Sequence, residues 1–393
     1  MNLFILCLYS IIIIVTIVET KEDKNNPNNI IDNKSSPLLS IIHVSSLSDL
    51  PRASLTIASF IQNVDDNVIK DYVLIVPNNA IKHPLCQSKE QMNSITKFNI
   101  KCLDELEVLN AHRRHVGMYI KKPTKDDPAS HNTWRLQMLL KIFTSYYITT
   151  EFLITVDSDT LLTQYIKDIS WFLPYGKARV AYENRGIHAS WYNASERLLH
   201  GKGCFNEMDL TTPMIGVTPA ILHTPTLLAV RHRLLRIHGR RARHPINGVM
   251  RATLGATGAS SSWTEYSMYR VMGCLTGDFY SHHSYRLERN QYNNFSLENV
   301  PRLYYGIWSE NQFLKIIKQS QSDSSDSNSN NGNDHMHGKM HSMINENLFV
   351  ILQDEQVKED TTHMKVFLKK IFCPRIHIIE SQSKYLRKKL PEC

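Results

Sequence analysis

Short, almost continuous apolar runs constrain the fold of this chain more than any other feature of its sequence. Residues 38–44, 71–77 and 151–156 are runs of this kind. Runs of this length with few polar interruptions are typical of strands that are buried on both faces of a sheet. Residues 53–61, between the first two runs, place apolar side chains at helical spacing. Strand, helix and strand in this order predict a parallel sheet.

A second helix is predicted directly before the run at 151–156. Residues 134–146 carry apolar side chains at positions i, i+3, i+4 and i+7, the stripe of a helix that packs on a sheet. The chain has 393 residues, of which 42% are hydrophobic and 21% charged, as in ordinary globular proteins. We therefore predict a single α/β domain with a mixed, mostly parallel, Rossmann-like sheet flanked by helices.

The N-terminus carries a targeting segment. Residues 3–18 form an apolar run. At about 16 residues, this run is longer than most signal-peptide cores and slightly shorter than a membrane span of about 20 residues. Residues 1–24 are therefore predicted to be a signal peptide or a type II membrane anchor, and both alternatives stay open. Residues 25–37 are polar and Asn-rich, which is typical of a linker.

Cysteine usage agrees with export from the cytosol. Six cysteines remain after Cys7 of the targeting segment is set aside, and none has the CxxC spacing of a zinc site, so disulfides are expected. Cys86 precedes the predicted third strand at 98–103 and Cys102 lies near the end of that strand, and a disulfide between them is the simplest interpretation. Three sequons, at Asn33, Asn193 and Asn294, are compatible with a lumenal location. We expect the Golgi or endoplasmic reticulum lumen, as a type II membrane protein or a secreted one.

The rest of the chain divides by composition. Residues 38–317 are predicted to form the α/β domain. Residues 318–343 are a low-complexity insert rich in Ser, Asn and Asp, which is typical of disorder. Residues 344–393 resume apolar periodicity as a strand and a helix that complete the domain.

Basic residues give the chain a net charge of +8 and cluster at 231–251. An anionic partner and a solvated helix face both explain such a cluster, and the second explanation is the commoner. Export from the cytosol argues against nucleic acid as the partner.

Two carboxylates, Asp157 and Asp159, follow the buried strand at 151–156. In open parallel sheets the ligand crevice lies beyond the carboxyl ends of the strands. A pair of carboxylates there can hold a divalent cation through oxygen ligands, and the cation can bind the two phosphates of a nucleotide sugar. The alternative is that these aspartates only cap a backbone turn.

Four sequence blocks around this pair, taken in order, resemble an uncharacterised DxD-containing family of GT-A-fold, nucleotide-diphosphosugar-transferase-like proteins. The likeness covers roughly residues 38 to 310. The blocks are Gln137-Met-Leu-Leu-Lys141, Thr150-Glu-Phe-Leu-Ile-Thr-Val-Asp157-Ser-Asp159-Thr160, Thr212-Pro-Met-Ile-Gly-Val-Thr-Pro-Ala-Ile-Leu222 and Trp263-Thr-Glu-Tyr-Ser-Met-Tyr269. The resemblance implies a GT-A-like fold, a nucleotide-diphosphate sugar as donor, and Mn²⁺ or Mg²⁺ held by Asp157 and Asp159.

Glu265 is the candidate catalytic base. Aromatic neighbours at 263, 266 and 269 can raise the pKa of its carboxyl group and line an acceptor pocket. Many GT-A enzymes of the inverting class have an acid at the start of such a helix, and the resemblance extends this role to Glu265. The alternative is a glutamate that only interacts with the helix dipole.

Four further residues complete the predicted site. His282 and His283 are candidate metal ligands, because GT-A enzymes often complete the metal shell with a late histidine. Gln137 and Lys141 share a helix face and are candidates for contact with the base or phosphates of the donor. The alternative for the two histidines is an ordinary place in the core or on the surface. The alternative for Gln137 and Lys141 is a solvated helix face.

We therefore predict a metal-dependent glycosyltransferase that moves a sugar from a nucleotide-diphosphate donor to a glycan or glycoprotein acceptor in the secretory pathway. The membrane would be a further partner if the N-terminal segment stays uncleaved. A different class of function is also open, a non-catalytic lumenal module that binds carbohydrate or protein.

Overall fold

The structure, a computed structural model, describes the part of the chain that follows the predicted linker. The described residues are 38–65, 67–87, 98–119, 130–180, 182–201, 204, 213–216, 218–255, 262–284, 302–307 and 347–352. The predicted targeting segment and linker, the low-complexity insert and the predicted C-terminal helix lie outside them. None of the helices in these ranges combines the length and the apolar character that a membrane crossing needs.

A five-stranded sheet lies at the centre of the fold. Its strand order is β3-β2-β1-β4-β9. The first four strands are parallel, and β9 pairs with β4 in the antiparallel sense. The strands are β1 (Leu39–Val44), β2 (Ile69–Val76), β3 (Asn99–Asp104), β4 (Phe152–Val156) and β9 (Ala220–His223). The predicted mixed, mostly parallel sheet flanked by helices is confirmed.

Smaller sheets extend the fold around this centre. A three-stranded sheet has the order β11-β12-β5, and two two-stranded sheets pair β10 with β6 and β7 with β8. These strands are β5 (Thr160–Leu162), β6 (Ala178–Arg179), β7 (Tyr182–Asn184), β8 (Pro213–Ile215), β10 (His283–Ser284), β11 (Arg302–Ile307) and β12 (Asn347–Leu352). The strand β12 lies within the strand predicted at the start of residues 344–393, and it pairs with β5 directly after the acidic pair.

Helices cover both faces of the central sheet. They are α1 (Leu50–Asn63), α2 (Pro84–Gln87), α3 (Glu105–Leu109), α4 (Arg113–Tyr119), α5 (Ser130–Thr144), α6 (Ala189–Leu199), α7 (Thr224–His238), α8 (Pro245–Thr253), α9 (Glu265–Thr276) and α10 (Phe279–His282). The predicted stripe on α5 is confirmed, because its four apolar side chains at 136, 139, 140 and 143 are buried.

The core has two layers, one on each face of the central sheet. Leu153 of β4 packs in a cluster with residues of α5, α7 and α9. The next residue, Ile154, packs in the other cluster with residues of α1. Successive side chains of a strand point to opposite faces, so a strand between two apolar layers needs an apolar residue at almost every position. This explains the continuous apolar runs of the sequence.

Two disulfides connect segments of the described chain. Cys86 and Cys102 are bonded, which confirms the predicted link between the segment before the third strand and that strand. Cys204 is bonded to Cys274 of α9, across a separation of 70 residues. The second pairing was left open by the sequence, because it depends on how α9 packs.

The sequon at Asn193 does not support a lumenal location. Asn193 lies in α6, where its Oδ1 accepts a hydrogen bond from Arg185. Ser195, which completes the sequon, is buried, and its Oγ lies 2.7 Å from Ser267 Oγ. Both polar side chains of this sequon therefore have hydrogen-bond partners within the fold. Asn33 and Asn294 lie outside the described residues.

Part of the basic cluster has structural contacts. The guanidinium group of Arg231 lies 4.6 Å from the ring centroid of Tyr146, a cation–π contact. Arg233 donates hydrogen bonds to the carbonyl oxygens of Leu199 and His200. These arginines of α7 therefore attach the helix to neighbouring segments.

Candidate active site

The acidic pair lies where β4 ends, beside the carboxyl end of β1. Asp157 follows Val156, and its carbonyl oxygen accepts a hydrogen bond from Thr160 N, which closes a turn into β5. The Asp157 side chain is 27% exposed, so solvent reaches one side of it. The structure thus has the two carboxylates at the edge of the sheet where open α/β folds bind ligands.

Lys141 of α5 connects Asp157 to Glu265 inside the protein. Its Nζ lies 2.8 Å from Asp157 Oδ1 and 3.0 Å from Glu265 Oε1. A third contact, of 3.4 Å, joins Nζ to Thr218 Oγ1. The side chains of Lys141 and Glu265 are each 3% exposed. All three N–H bonds of the ammonium group therefore have acceptors within the protein.

The charges around Lys141 control its protonation and that of Asp157. Burial lowers the pKa of Lys141, but the charges of Asp157 and Glu265 raise it more, so the pKa lies well above its usual value. Burial raises the pKa of Asp157, but the charge and hydrogen bond of Lys141 lower it more, so the net shift is downward. Near neutral pH, Lys141 is a cation and Asp157 an anion.

Asp159, unlike Asp157, has one carboxylate oxygen without a hydrogen-bond partner among the residues that the structure describes. Its Oδ1 is buried and has no hydrogen bond within the part of the chain that the structure describes. Burial and the charge of Asp157 raise the pKa of Asp159 to about 7. A buried carboxylate oxygen without a partner beside a second carboxylate is what a hard divalent cation requires of its ligands. The acidic pair therefore fits Mn²⁺ or Mg²⁺.

A chain of hydrogen bonds holds the turn between the two aspartates. Ser158 Oγ lies 2.9 Å from His43 Nε2 and 3.2 Å from Ser45 Oγ. The other nitrogen of His43 lies 2.7 Å from the Tyr72 hydroxyl group. Thr56 Oγ1 donates a hydrogen bond to the carbonyl oxygen of Ser158. Sequence reasoning missed these residues, although a histidine inside the apolar strand β1 was a signal that its ring has buried partners.

Gln137 also contacts the acidic pair. Its Nε2 lies 3.3 Å from Asp157 Oδ1 and 3.3 Å from the carbonyl oxygen of Val44. Gln137 and Lys141 are four residues apart on α5, so both side chains reach the end of β4. The structure brings the two predicted donor-binding residues to the acidic pair, where their polar atoms contact Asp157.

Glu265 begins helix α9 and is closed off from solvent. Thr264 is the N-cap, and its Oγ1 accepts a hydrogen bond of 3.0 Å from Ser267 N. The aromatic neighbours at 263, 266 and 269 are buried, so they do not line an acceptor pocket as the sequence had suggested. Tyr266 OH instead lies 2.9 Å from Thr155 Oγ1. In this arrangement the Glu265 carboxylate contacts Lys141 and is not positioned to meet an acceptor.

The structure does not bring His282 and His283 to the acidic pair. The ring of His282 stacks on that of His223, with 3.6 Å between centroids. His223 pairs with Phe152, the first residue of β4, whereas Asp157 follows the last one. Five residues of strand separate the two ends by about 16 Å. His283 Nε2 lies 2.7 Å from the Tyr269 hydroxyl group, within the core.

Comparison with known families places the chain in one of them. Residues 38–354 match a family described as a family of unknown function (DUF6492). The chain belongs to the DUF6492 family. No curated protein matches this DUF6492 chain.

Several solved structures are distantly similar to this DUF6492 chain. Mouse xyloside xylosyltransferase 1 is 10% identical, with 61% of this chain and 83% of that chain covered and a TM-score of 0.33. The galactosyltransferase LgtC is 6% identical, with coverages of 80% and 87% and a TM-score of 0.37. The mannosyltransferase Ktr4p from S. cerevisiae is 11% identical, with coverages of 70% and 90% and a TM-score of 0.33.

Proposed function

We propose that this DUF6492 protein is a metal-dependent glycosyltransferase. It would move a sugar from a nucleotide-diphosphate donor to a glycan or glycoprotein acceptor in the secretory pathway. The observation that carries the proposal is the acidic pair at the end of β4. Asp159 Oδ1 is buried there without a hydrogen-bond partner among the described residues, and Asp157 beside it is partly exposed.

Each residue at the end of β4 has a distinct task in this proposal. Asp157 and Asp159 would hold Mn²⁺ or Mg²⁺, which when bound would neutralise the charge that develops on the leaving diphosphate. Lys141 keeps Asp157 ionised and in place through its 2.8 Å contact. Gln137 Nε2 donates a hydrogen bond of 3.3 Å to the same carboxylate oxygen. The donor would then lie in the crevice beyond the strand ends.

Glu265 has a positioning task in the described arrangement. Its carboxylate contacts the same Lys141 Nζ that contacts Asp157, and the capped start of α9 fixes Glu265 in turn. A general base must come within hydrogen-bond reach of the acceptor hydroxyl group. Glu265 would need to leave Lys141 and reach solvent to do so, and the positioning role requires no such movement.

The burial of Glu265 favours a second candidate function. A lumenal protein that keeps the donor site but lacks an accessible base would bind nucleotide sugars, carbohydrate or protein without turnover. Release of nucleotide diphosphate from a nucleotide sugar separates the two candidates, because only the enzyme breaks the bond between the sugar and the diphosphate.

Ligand-dependent stabilisation of the full chain tests the proposal. Mn²⁺ with a nucleotide diphosphate should raise the melting temperature, since a ligand at 100 times its Kd adds about 2.7 kcal/mol to the free energy of unfolding. Asp159→Ala should abolish this shift. Asp168→Asn is the matched control, because Asp168 is exposed and Asn can still accept the hydrogen bond from Ser170 N. A shift of wild-type size in Asp159→Ala would refute the assignment.

A further inference from the structure

The arginines at 236–251 form an exposed patch that has no carboxylate within its own stretch of sequence. Residues 224–255, which include α7, α8 and the turn between them, contain no Asp or Glu. Five exposed arginines of this stretch make up what we call the arginine patch: Arg236, Arg240, Arg241, Arg243 and Arg251. None of them takes part in an ion pair with any residue that the structure describes. Positive charge is therefore concentrated here without being balanced.

A second basic segment lies next to the arginine patch. Helix α8 packs against α4, which begins with the exposed residues Arg113 and Arg114. The rings of His112 and His244, which precede these two helices, lie 6.3 Å apart between centroids. Burial and then a neighbouring aspartate raise the pKa of the half-buried Glu105, and the charge of Arg113 lowers it. This carboxylate partly balances Arg113, and the described residues hold no such partner for the arginine patch.

Other arginines of the same helix have a structural task, which the arginine patch lacks. Arg231 packs on the ring of Tyr146, and Arg233 donates hydrogen bonds to two carbonyl oxygens. Like charges gathered on one surface repel one another, which lowers stability. The arginine patch has this cost and no contact within the described part of the fold to offset it. This contrast indicates that its partner is an anion from outside the chain.

From this contrast we propose that the arginine patch binds a sulfated polysaccharide. The choice of a glycan rests on the proposed function, in which the acceptor is a glycan or glycoprotein of the secretory pathway. Guanidinium groups are planar and donate two parallel hydrogen bonds to one sulfate or carboxylate group. The arginine patch and the start of α4 contain arginine and no lysine, which suits this bidentate recognition.

The arginine patch is elongated, as the binding surface of a chain molecule must be. The turn that carries Arg240, Arg241 and Arg243 precedes α8, and Arg251 lies six residues after the first residue of that helix. A rise of about 1.5 Å per residue separates these two ends by about 9 Å along the helix axis. Charge spread over this distance exceeds the reach of one small anion and matches a series of anionic groups along a chain.

A membrane surface and a nucleic acid are the other polyanions that a basic patch can bind. A helix that lies in a membrane surface exposes an apolar face beside its basic residues, whereas Ile246, Val249 and Met250 of α8 are buried. On α4, the exposed Met118 alone does not form such a face. Single-stranded nucleic acid stacks on exposed aromatic side chains, and residues 224–255 contain none. The described surface therefore favours the polysaccharide.

Helix α8 also connects the arginine patch to the candidate active site. The carbonyl oxygen of Thr253, its last residue, accepts hydrogen bonds from Arg135 of α5 and from the indole of Trp263, just before α9. The helices α5 and α9 supply Lys141 and Glu265. A sulfated chain on the arginine patch would therefore lie on the same helical layer as the residues that contact the acidic pair.

Heparin binding by the full chain at several salt concentrations tests the proposal, with heparin as the probe for a sulfated polysaccharide. A triple variant, Arg240→Gln, Arg241→Gln and Arg243→Gln, should lose affinity at least about tenfold, since each change removes a charge-assisted contact. The slope of log affinity against log salt should become shallower by about three, one for each lost contact. The melting temperature should not fall, because these side chains have no partner in the described part of the fold.

The matched control removes the same charge from three exposed lysines beside the other core layer, with Lys70→Gln, Lys82→Gln and Lys167→Gln. It should keep heparin affinity within about threefold, because exposed charges farther away than a Debye length of about 8 Å are largely screened. Equal losses in the two triple variants would show that binding follows net charge alone, and this would overturn the proposal. No heparin binding by the wild type at physiological ionic strength would overturn it as well.

Further measurements separate the glycan from other polyanions, and this proposal from the proposed function. DNA duplexes and phosphatidylserine vesicles should bind more weakly than heparin at the same salt concentration, and tighter binding of either would overturn the choice of a glycan. Asp159→Ala should bind heparin like the wild type, whereas the triple arginine variant should keep the melting-temperature shift with Mn²⁺ and nucleotide diphosphate. Heparin binding without that shift would support this proposal and refute the proposed function, and the shift without heparin binding would do the reverse.

Discussion

At the scale of single residues, the buried Lys141 controls the charge of the acidic end of β4. It offsets the charges of Asp157 and Glu265 at distances of 2.8 and 3.0 Å. Removing one partner from a buried ionic network leaves the remaining charges without compensation, and this costs more than the network contributes. Breaking the network should therefore lower the free energy of unfolding as well as change the affinity of the acidic pair for a cation.

Lys141→Met should lower the free energy of unfolding by about 3–5 kcal/mol, because the buried carboxylate of Glu265 and the partly exposed one of Asp157 both lose their cation. Chemical denaturation of the wild type and the variant measures the loss. The double variant Lys141→Met with Glu265→Gln should recover part of it, since one of the unpaired charges is then gone. Lys70→Met is the control, because Lys70 is exposed, and its expected change is within about 0.5 kcal/mol. A loss in Lys141→Met no larger than in the control would contradict the network.

Glu265→Gln separates the two roles considered for this residue. As a positioning residue, Glu265 should affect cation affinity, since Lys141 would then pair with Asp157 alone and compete with the metal. We expect Mn²⁺ affinity to fall by about 10–100-fold, with turnover at saturating Mn²⁺ changed much less. Unchanged Mn²⁺ affinity with a rate loss of about two to four orders of magnitude would restore Glu265 as the base.

At the scale of elements, the start of α9 determines where Glu265 lies. Thr264 and Ser267 form a reciprocal capping box at this helix end. Thr264→Ala should cost about 1 kcal/mol of stability, the usual effect of losing an N-cap side chain. Thr276→Ala is a matched control at the exposed end of the same helix, with little change expected. Equal unfolding free energies for Thr264→Ala and the wild type would show that the cap is unimportant.

The sequence predicted elements better than it predicted their contacts. The runs at 71–77 and 151–156 revealed buried parallel strands, and the end of the second run located Asp157. The contact between Lys141 and Glu265 could not be predicted, because it depends on how α9 packs against α5. His282 was assigned to the wrong end of the sheet, because the sequence of β9 does not reveal that this strand runs antiparallel to β4.

At the scale of the whole molecule, buried neutral histidines link stability to pH. Burial lowers the pKa of His43 to about 3, below the unfolded value of 6.5. The unfolded chain therefore binds a proton that the folded chain does not, and stability is lost as pH falls below about 6.5. Denaturation between about pH 6 and pH 4 should show a slope smaller by about 1.4 kcal/mol per pH unit in His43→Gln. An unchanged slope would show that His43 is not held neutral.

The lumenal location is a prediction for the whole chain. Residues 1–24 should direct residues 37–393 into the lumen, and glycan, if added, should be at Asn33 or Asn294. Glycosidase treatment of a tagged chain should reduce its mass in the wild type and in Asn193→Gln alike, because Asn193 lies in a folded helix. A chain that stays in the cytosol with no glycosidase-sensitive mass would contradict the location.

Sugar transfer at the acidic pair is tested most directly by Mn²⁺-dependent hydrolysis of nucleotide sugars. The full chain would be screened against a panel of nucleotide-diphosphate sugars, with release of nucleotide diphosphate as the readout. The account predicts release by the wild type and by Asp168→Asn, dependence on Mn²⁺ or Mg²⁺, and none by Asp159→Ala. Release that persists in Asp159→Ala, or that needs no divalent cation, would contradict it.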